Sequence, residues 1–209
     1  MKINILRSAF TVLFTVLICL GVFTGTSAGE FILTSQNMLI IFASLVMGGV
    51  QGTGATGLFI LLGITGLPVF GGFTGGLKYL NGPGGGFLIG YFIASFVTGL
   101  IAGTPHIYEK KASWKYIARI FTAALLGFII IYIPAIPWFI NVMSKAGKTC
   151  TFIQAVDICF FPYILSDIIK LCICLPLTLL LRPLIAKILY PDDEKESEEM
   201  LRKIKSKKK

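Results

Sequence analysis

Acid is what this chain has least of. Its 209 residues include 10 Asp and Glu against 19 Lys and Arg, and no acidic residue lies between Glu30 and Glu109. There is one histidine, His106, and it sits in a basic stretch. That argues against an intramembrane Ser–His hydrolase and against a His-based metal centre. No two carboxylates share an apolar run, so acid–base catalysis has no pair to work with. A nucleotide site is also missing. Gly52-Thr53-Gly54-Ala55-Thr56-Gly57 has G-x-G-x-x-G spacing, but no βαβ surroundings and no acid about 20 residues on; it reads as a turn between two spans. Gly147-Lys148-Thr149 ends like a phosphate loop, yet position 142 is Val142 where the first glycine is required. The five cysteines, Cys19, Cys150, Cys159, Cys172 and Cys174, are an odd set lying mostly in apolar runs. Cys172 and Cys174 diverge by roughly 200° on a helix, so apolar filler fits them better than a metal or disulfide role. The chain is expected to be no enzyme and to carry no cofactor or metal of its own.

What it has in quantity is apolar length. Hydrophobic residues make up 55%, charged residues 14%, and mean hydropathy is +0.83. That composition predicts an all-α, polytopic membrane protein. Six spans are expected, over 9–23, 38–50, 58–67, 82–103, 116–138 and 160–181. The small residues 26–28 after the first run resemble a signal cleavage site, but more membrane follows, so a first span is the better reading. One membrane domain, 1–190, and a charged tail, 191–209, account for the chain. With both termini cytoplasmic, the inner segments hold 15 of the 19 Lys and Arg, including the 106–119 loop, as the positive-inside rule demands. The basic residues flank spans or fill the tail, so they speak for a lipid bilayer and not for nucleic acid. Arg182 and Lys187, near the inner end of the last span, are expected to snorkel to the surface.

The same orientation puts residues 66–90, GLPVFGGFTGGLKYLNGPGGGFLIG, on the outer face. Ten of these 25 residues are glycine. Glycine costs backbone entropy and packs nothing, so the cluster needs a reason, and close approach of backbone to a ligand is one. Pro68, Pro83, Phe70, Phe73 and Tyr79 are interleaved and would stiffen the segment into a packed loop.

Asp167 is the lone acid inside a predicted span, and Lys170 follows on the same helix face. They lie roughly 10–15 Å below the outer start of that span. An ionisable group there costs about 3 kcal/mol or more and is a functional candidate; a self-neutralising pair that merely packs two helices is the alternative. With aromatics such as Phe70, Tyr79, Phe87 and Tyr91, the pair would suit a small ligand with a carboxylate or amide-like edge: Asp167 could accept N–H bonds and Lys170 could attract an anion.

The glycine stretch resembles the signature of BioY proteins, approximately GLPVFAGGxGGLxxLxGPTGGYLxGF. Phe161-Pro162-Tyr163-Ile164-Leu165-Ser166-Asp167-Ile168-Ile169-Lys170 is similar to that family's second motif, and Thr34-Ser35-Gln36 to its Thr-x-Gln. Gly84 stands where the family has the Thr of GPT, and Ser166 where it has Gly. The resemblance implies the biotin-binding S component of an energy-coupling-factor (ECF) transporter in a bacterial cell membrane. Biotin would sit near the outer face. Asp167 and Lys170 match the family's ligand contacts, and Asn81, Gly75, Gly76, Gly84, Gly85, Phe87, Tyr91 and Gln36 fall in the region of the others. A T component and two ATPases would be the partners. Thr11, Thr15 and Cys19 form a small-residue ridge on the first span where another helix can approach closely, and the resemblance implies docking of the T component at Thr11 and Thr15. An S component for another small vitamin, and an ion-coupled carrier working without ATPases, remain the alternative readings.

Overall fold

The structure, a computed structural model, describes residues 2–28, 31–105 and 113–190. The basic loop around His106, Glu109, Lys110 and Lys111, Glu30, and the charged tail lie outside the described residues.

Helices account for nearly all of it. They are α1 (Lys2–Leu20), α2 (Gln36–Met47), α3 (Gly49–Ile64), α4 (Leu77–Asn81), α5 (Gly85–Ala102), α6 (Trp114–Lys145), α7 (Phe152–Cys159) and α8 (Phe161–Leu189). A short hairpin of β1 (Thr26–Ala28) and β2 (Phe31–Leu33) is the one sheet among the described residues. Four segments are long and apolar enough to cross a membrane: Ile5–Thr24, Gly85–Ala102, Trp114–Lys145 and Phe161–Leu189. Helices α2 and α3 are apolar but shorter, about 18 and 24 Å at 1.5 Å per residue. The described helices pack into one bundle with two ends. One end carries Thr34, Asn37, the glycine loop and Tyr163; the other carries Met47, Gly103, Arg182 and Tyr190.

Two boundaries differ from the sequence reading. The turn between α2 and α3 is at Gly48, whose φ of 87° is left-handed and glycine's own. Residues 52–57, expected to be that turn, are inside α3. Gly52 is there because a Cβ would meet the backbone and hydroxyl of Ser44 on α2. Glycine here supplies close helix contact, not chain reversal. Likewise α6 runs on through Pro134 and Pro137 to Lys145, and the connection expected over 141–157 contains most of α7, capped by a reciprocal pair between Thr151 and Gln154.

Glycine also sets the tightest helix pair, α5 on α6. A Cβ on Gly90 would overlap the backbone of Ile131, and one on Gly86 would meet Trp138 and the backbone of Ala135. Gly90→Val is expected to cost about 1–3 kcal/mol through overpacking. Thermal unfolding in detergent checks this; an unchanged midpoint would contradict the contact.

The ridge on α1 points inward. Thr15 is 3% exposed, and its single hydroxyl proton is shared between the Thr11 carbonyl at 2.9 Å and the Ala55 carbonyl of α3 at 3.1 Å. The Thr11 methyl lies over Gly54 of α3. Thr11 and Thr15 thus join α1 to α3 within the bundle, where a partner-docking ridge was expected. The outward face of α1 is Val12, Leu13, Val16, Leu17 and Leu20.

Arg182 does not snorkel. It is fully buried, because α8 continues to Leu189 and places it inside the bundle. Its guanidinium donates to the carbonyls of Leu45, Ala102 (2.6 Å) and Gly103 (2.8 Å). These lie in the last turn of α2 and at the end of α5, where helix carbonyls lack partners and the helix dipole favours a cation. At the same end, the Tyr190 hydroxyl lies 3.2 Å from the Met47 carbonyl and from the Gln51 side chain. Arg7 donates to the Leu189 carbonyl and stacks over the Tyr190 ring.

Candidate functional site

The glycine loop between α3 and α5 is folded tightly onto the bundle. Phe70, 1% exposed, enters a notch that exists because residue 63 is glycine; a Cβ there would overlap the ring. The ring stacks on Tyr79 at 4.9 Å and meets Phe59 edge-on at 5.5 Å. Burial pushes the Tyr79 hydroxyl up to about 12, so it stays a neutral group. The loop backbone is tied down by Gly76 N–H to the Gly63 carbonyl at 2.7 Å. Gln36, 2% exposed, donates from Nε2 to Val69 of the loop at 2.6 Å and to Ile18 of α1 at 3.3 Å. Gln36 thus clamps the loop and does not face the ligand space.

Beneath the loop is a cavity of about 490 Å³, within the usual range for small-ligand sites. Gly71, Thr74, Gly75, Lys78, Tyr79, Gly82, Pro83 and Gly84 form its roof and rim. Thr34, Asn37, Phe87, Tyr91, Ile131, Tyr132 and Tyr163 come from the bundle. The walls are aromatic: Phe87 meets Tyr132 edge-on at 6.1 Å and Tyr163 at 6.0 Å.

Of the residues expected to bind ligand, Gly75, Gly84, Phe87 and Tyr91 line this cavity. Gly76 starts α4 and is spent on the loop's own hydrogen bond. A Cβ on Gly85 would overlap the Leu80 carbonyl, so that glycine serves packing. Asn81 is exposed at the end of α4 and is not among the lining residues.

Asp167 and Lys170 come together as expected, each 8% exposed and 3.5 Å apart. Neither lines the cavity. They sit one hydrogen bond behind its floor, joined to two residues that the sequence did not single out. Asn37 donates from Nδ2 to Asp167 Oδ1 at 2.7 Å, and its Oδ1 accepts from Lys170 Nζ at 2.9 Å. Tyr132 donates to Asp167 Oδ2 at 2.5 Å. Lys170 also donates to the Thr34 carbonyl at 2.9 Å. A buried ion pair survives only when its remaining bonding capacity is met, and this network meets it. The available signals were faint: Asn37 is a polar residue directly after the Thr-x-Gln triplet, and Tyr132 is a lone hydroxyl in an isoleucine-rich run.

Comparison with known proteins agrees with this architecture. The BioY family profile matches residues 1–187. The biotin transporter BioY of Thermotoga maritima is 31% identical over 175 residues, covering 82% of this chain and 93% of that protein. A probable biotin transporter BioY of Pyrococcus horikoshii is 32% identical over 158 residues, covering 76% and 85%. Among solved structures, the S-component for biotin from an ECF-type ABC transporter superposes with a TM-score of 0.70 at 24% identity, covering 86% of this chain and 92% of that one; the likeness is one of fold.

Proposed function

The chain belongs to the BioY family, and on that premise we propose that it captures biotin from outside the cell as the membrane-embedded S component of an ECF transporter. It is a multi-pass membrane protein, a transport subunit and not an enzyme. The observation that carries the reading is the cavity of about 490 Å³ roofed by the glycine loop, with the Asp167–Lys170 pair under its floor. A small apolar cavity with a few fixed polar groups is what a compact heterocyclic vitamin requires.

Counting α2 and α3 as short spans gives six crossings, with both termini in the cytoplasm and the loop outside. The basic bias of the inner segments supports that orientation. Energy for uptake comes from a T component and two ATPases, since the sequence holds no nucleotide loop. The host is a bacterial cell whose inner membrane carries the complex. Site residues are Gly75, Gly84, Phe87 and Tyr91 on the cavity wall. Asp167 and Lys170 set its polarity, and Gln36, Gly76 and Gly85 hold the loop in place.

Uptake of radiolabelled biotin by a transport-deficient biotin auxotroph tests this. Expression of the chain together with a T component and ATPases is expected to restore uptake, and the ATPases to co-purify with it. No uptake from the fully expressed complex would contradict the proposal. Equal uptake with and without the ATPases would favour a self-sufficient carrier.

A further inference from the structure

The roof of the cavity is fastened unevenly. Its first leg is sunk into the bundle: Phe70 fills the Gly63 notch, Gln36 holds the Val69 carbonyl, and the Gly76 N–H meets the Gly63 carbonyl. The second leg is α4 with the corner Gly82-Pro83-Gly84. It supplies Lys78, Tyr79, Gly82, Pro83 and Gly84 to the cavity, yet α4 has no buried residue and Leu77 is 61% exposed. Segments with so little buried apolar contact open at low cost. Glycine stands at both ends: Gly76, with a left-handed φ of 82°, precedes α4, and Gly82 follows it. The contacts that hold the starting end, Gly76 to Gly63 and Tyr79 stacked on Phe70, belong to the side of the first leg. At the other end, Trp138 of α6 donates from Nε1 to the Gly82 carbonyl at 3.0 Å. Among the described residues, this is the one hydrogen bond from residues 77–84 to a helix other than α4 itself and α5. Trp138 is half-buried against Gly86 of α5 and does not line the cavity.

We propose that α4 is a leaf hinged at Gly75-Gly76 and latched at Gly82 by the Trp138 indole, and that this latch sets how fast ligand enters and leaves. The proposal rests on the biotin reading for its ligand; the latch itself is a property of the empty chain. Trp138 acts on the cavity through Gly82, so it is a positioning residue. Its hydrogen bond is made whenever α4 is closed, over an empty cavity or a filled one. Losing the bond therefore favours opening equally in both states. Entry and release speed up together, and the dissociation constant, which is their ratio, stays where it was. A side chain that touched the ligand would instead shift that constant. One that merely packed α6 on α5 would lower the unfolding midpoint and leave both rates alone.

The test uses the full-length chain purified in detergent. Trp114, 80% exposed at the start of α6, is the other tryptophan of the two in the chain, so a Trp114→Phe parent leaves position 138 as the sole site for a tryptophan analogue. β-(3-Benzothienyl)alanine at that site puts sulfur where the N–H was and keeps the size of the ring. Association and release of radiolabelled biotin are both expected to rise about three- to tenfold over the parent, the worth of one ordinary hydrogen bond, with Kd within about twofold and the unfolding midpoint unchanged. Trp138→Phe should raise both rates likewise, with a lower midpoint because it also leaves a gap against Gly86. In the empty chain, hydrogen exchange of the amides of residues 77–85 should accelerate by the same factor in the analogue, while residues 67–72 exchange as in the parent. Unchanged exchange over 77–85 would overturn the latch, as would unchanged biotin rates or a Kd that rises as much as the release rate. A parent that binds no biotin would overturn the biotin reading, and the exchange result would still decide whether Trp138 holds α4 closed.

Discussion

Replacing Arg182 with methionine is expected to lower stability by about 3 kcal/mol or more, seen as a fall of roughly 5–10 °C in the unfolding midpoint in detergent. The side chain is fully buried and serves carbonyls from two helices, at Leu45 of α2 and at Ala102 and Gly103 of α5. Methionine keeps much of the apolar stem and removes all the donors. In lipid-enclosed surroundings those carbonyls have little water to turn to. Lysine should rescue only part of the loss, because a point charge cannot span two helix ends as a planar fork does. Arg182 lies at the opposite end from the cavity, so biotin affinity measured below the lowered midpoint should change less than threefold. A midpoint within a degree of wild type would show that the carbonyls find other partners. The fork would then hold nothing together.

Asp167→Asn is expected to weaken biotin binding by more than tenfold, about 1.4 kcal/mol or more. The carboxylate is the common acceptor for Asn37 and Tyr132, which both line the cavity, and the counter-charge of Lys170. Without it the amide and the phenol lose their orientation and a buried ammonium is left unpaired. Stability should fall too, so binding alone does not separate the two roles. The double variant Asp167→Asn, Lys170→Met does. Removing both charges is often close to neutral for stability, so the midpoint should recover while affinity stays low. Wild-type affinity in the double variant would remove the pair from any part in ligand recognition.

The parts of this molecule legible in its sequence are those that one helix decides by itself. Long apolar runs gave α1, α5, α6 and α8, and the i,i+3 spacing brought Asp167 and Lys170 to one face. What was hidden depends on contacts between helices. Gly52 reads as a turn until Ser44 of α2 is seen lying against it. Arg182 reads as a terminal cation until α8 is seen to continue past it and the ends of α2 and α5 to converge on it. Thr11 and Thr15 form a ridge visible in the spacing, but spacing does not say which helix meets it; α3 does. Asn37 and Tyr132 are 130 and 35 residues from Asp167, and only the fold closes those distances. The glycine loop roofs the cavity, yet several of its glycines make room for protein. Gly63, just before it, admits Phe70, Gly84 faces the Tyr79 ring, and Gly86 admits α6.

The central claim is that this cavity is a biotin site. Isothermal titration of the purified full-length chain with biotin tests it most directly. The account predicts a saturable 1:1 isotherm with a Kd below about 1 μM, or at least about 8 kcal/mol of binding free energy. No saturable binding up to about 1 mM biotin, by a chain that is folded and monodisperse, would contradict it.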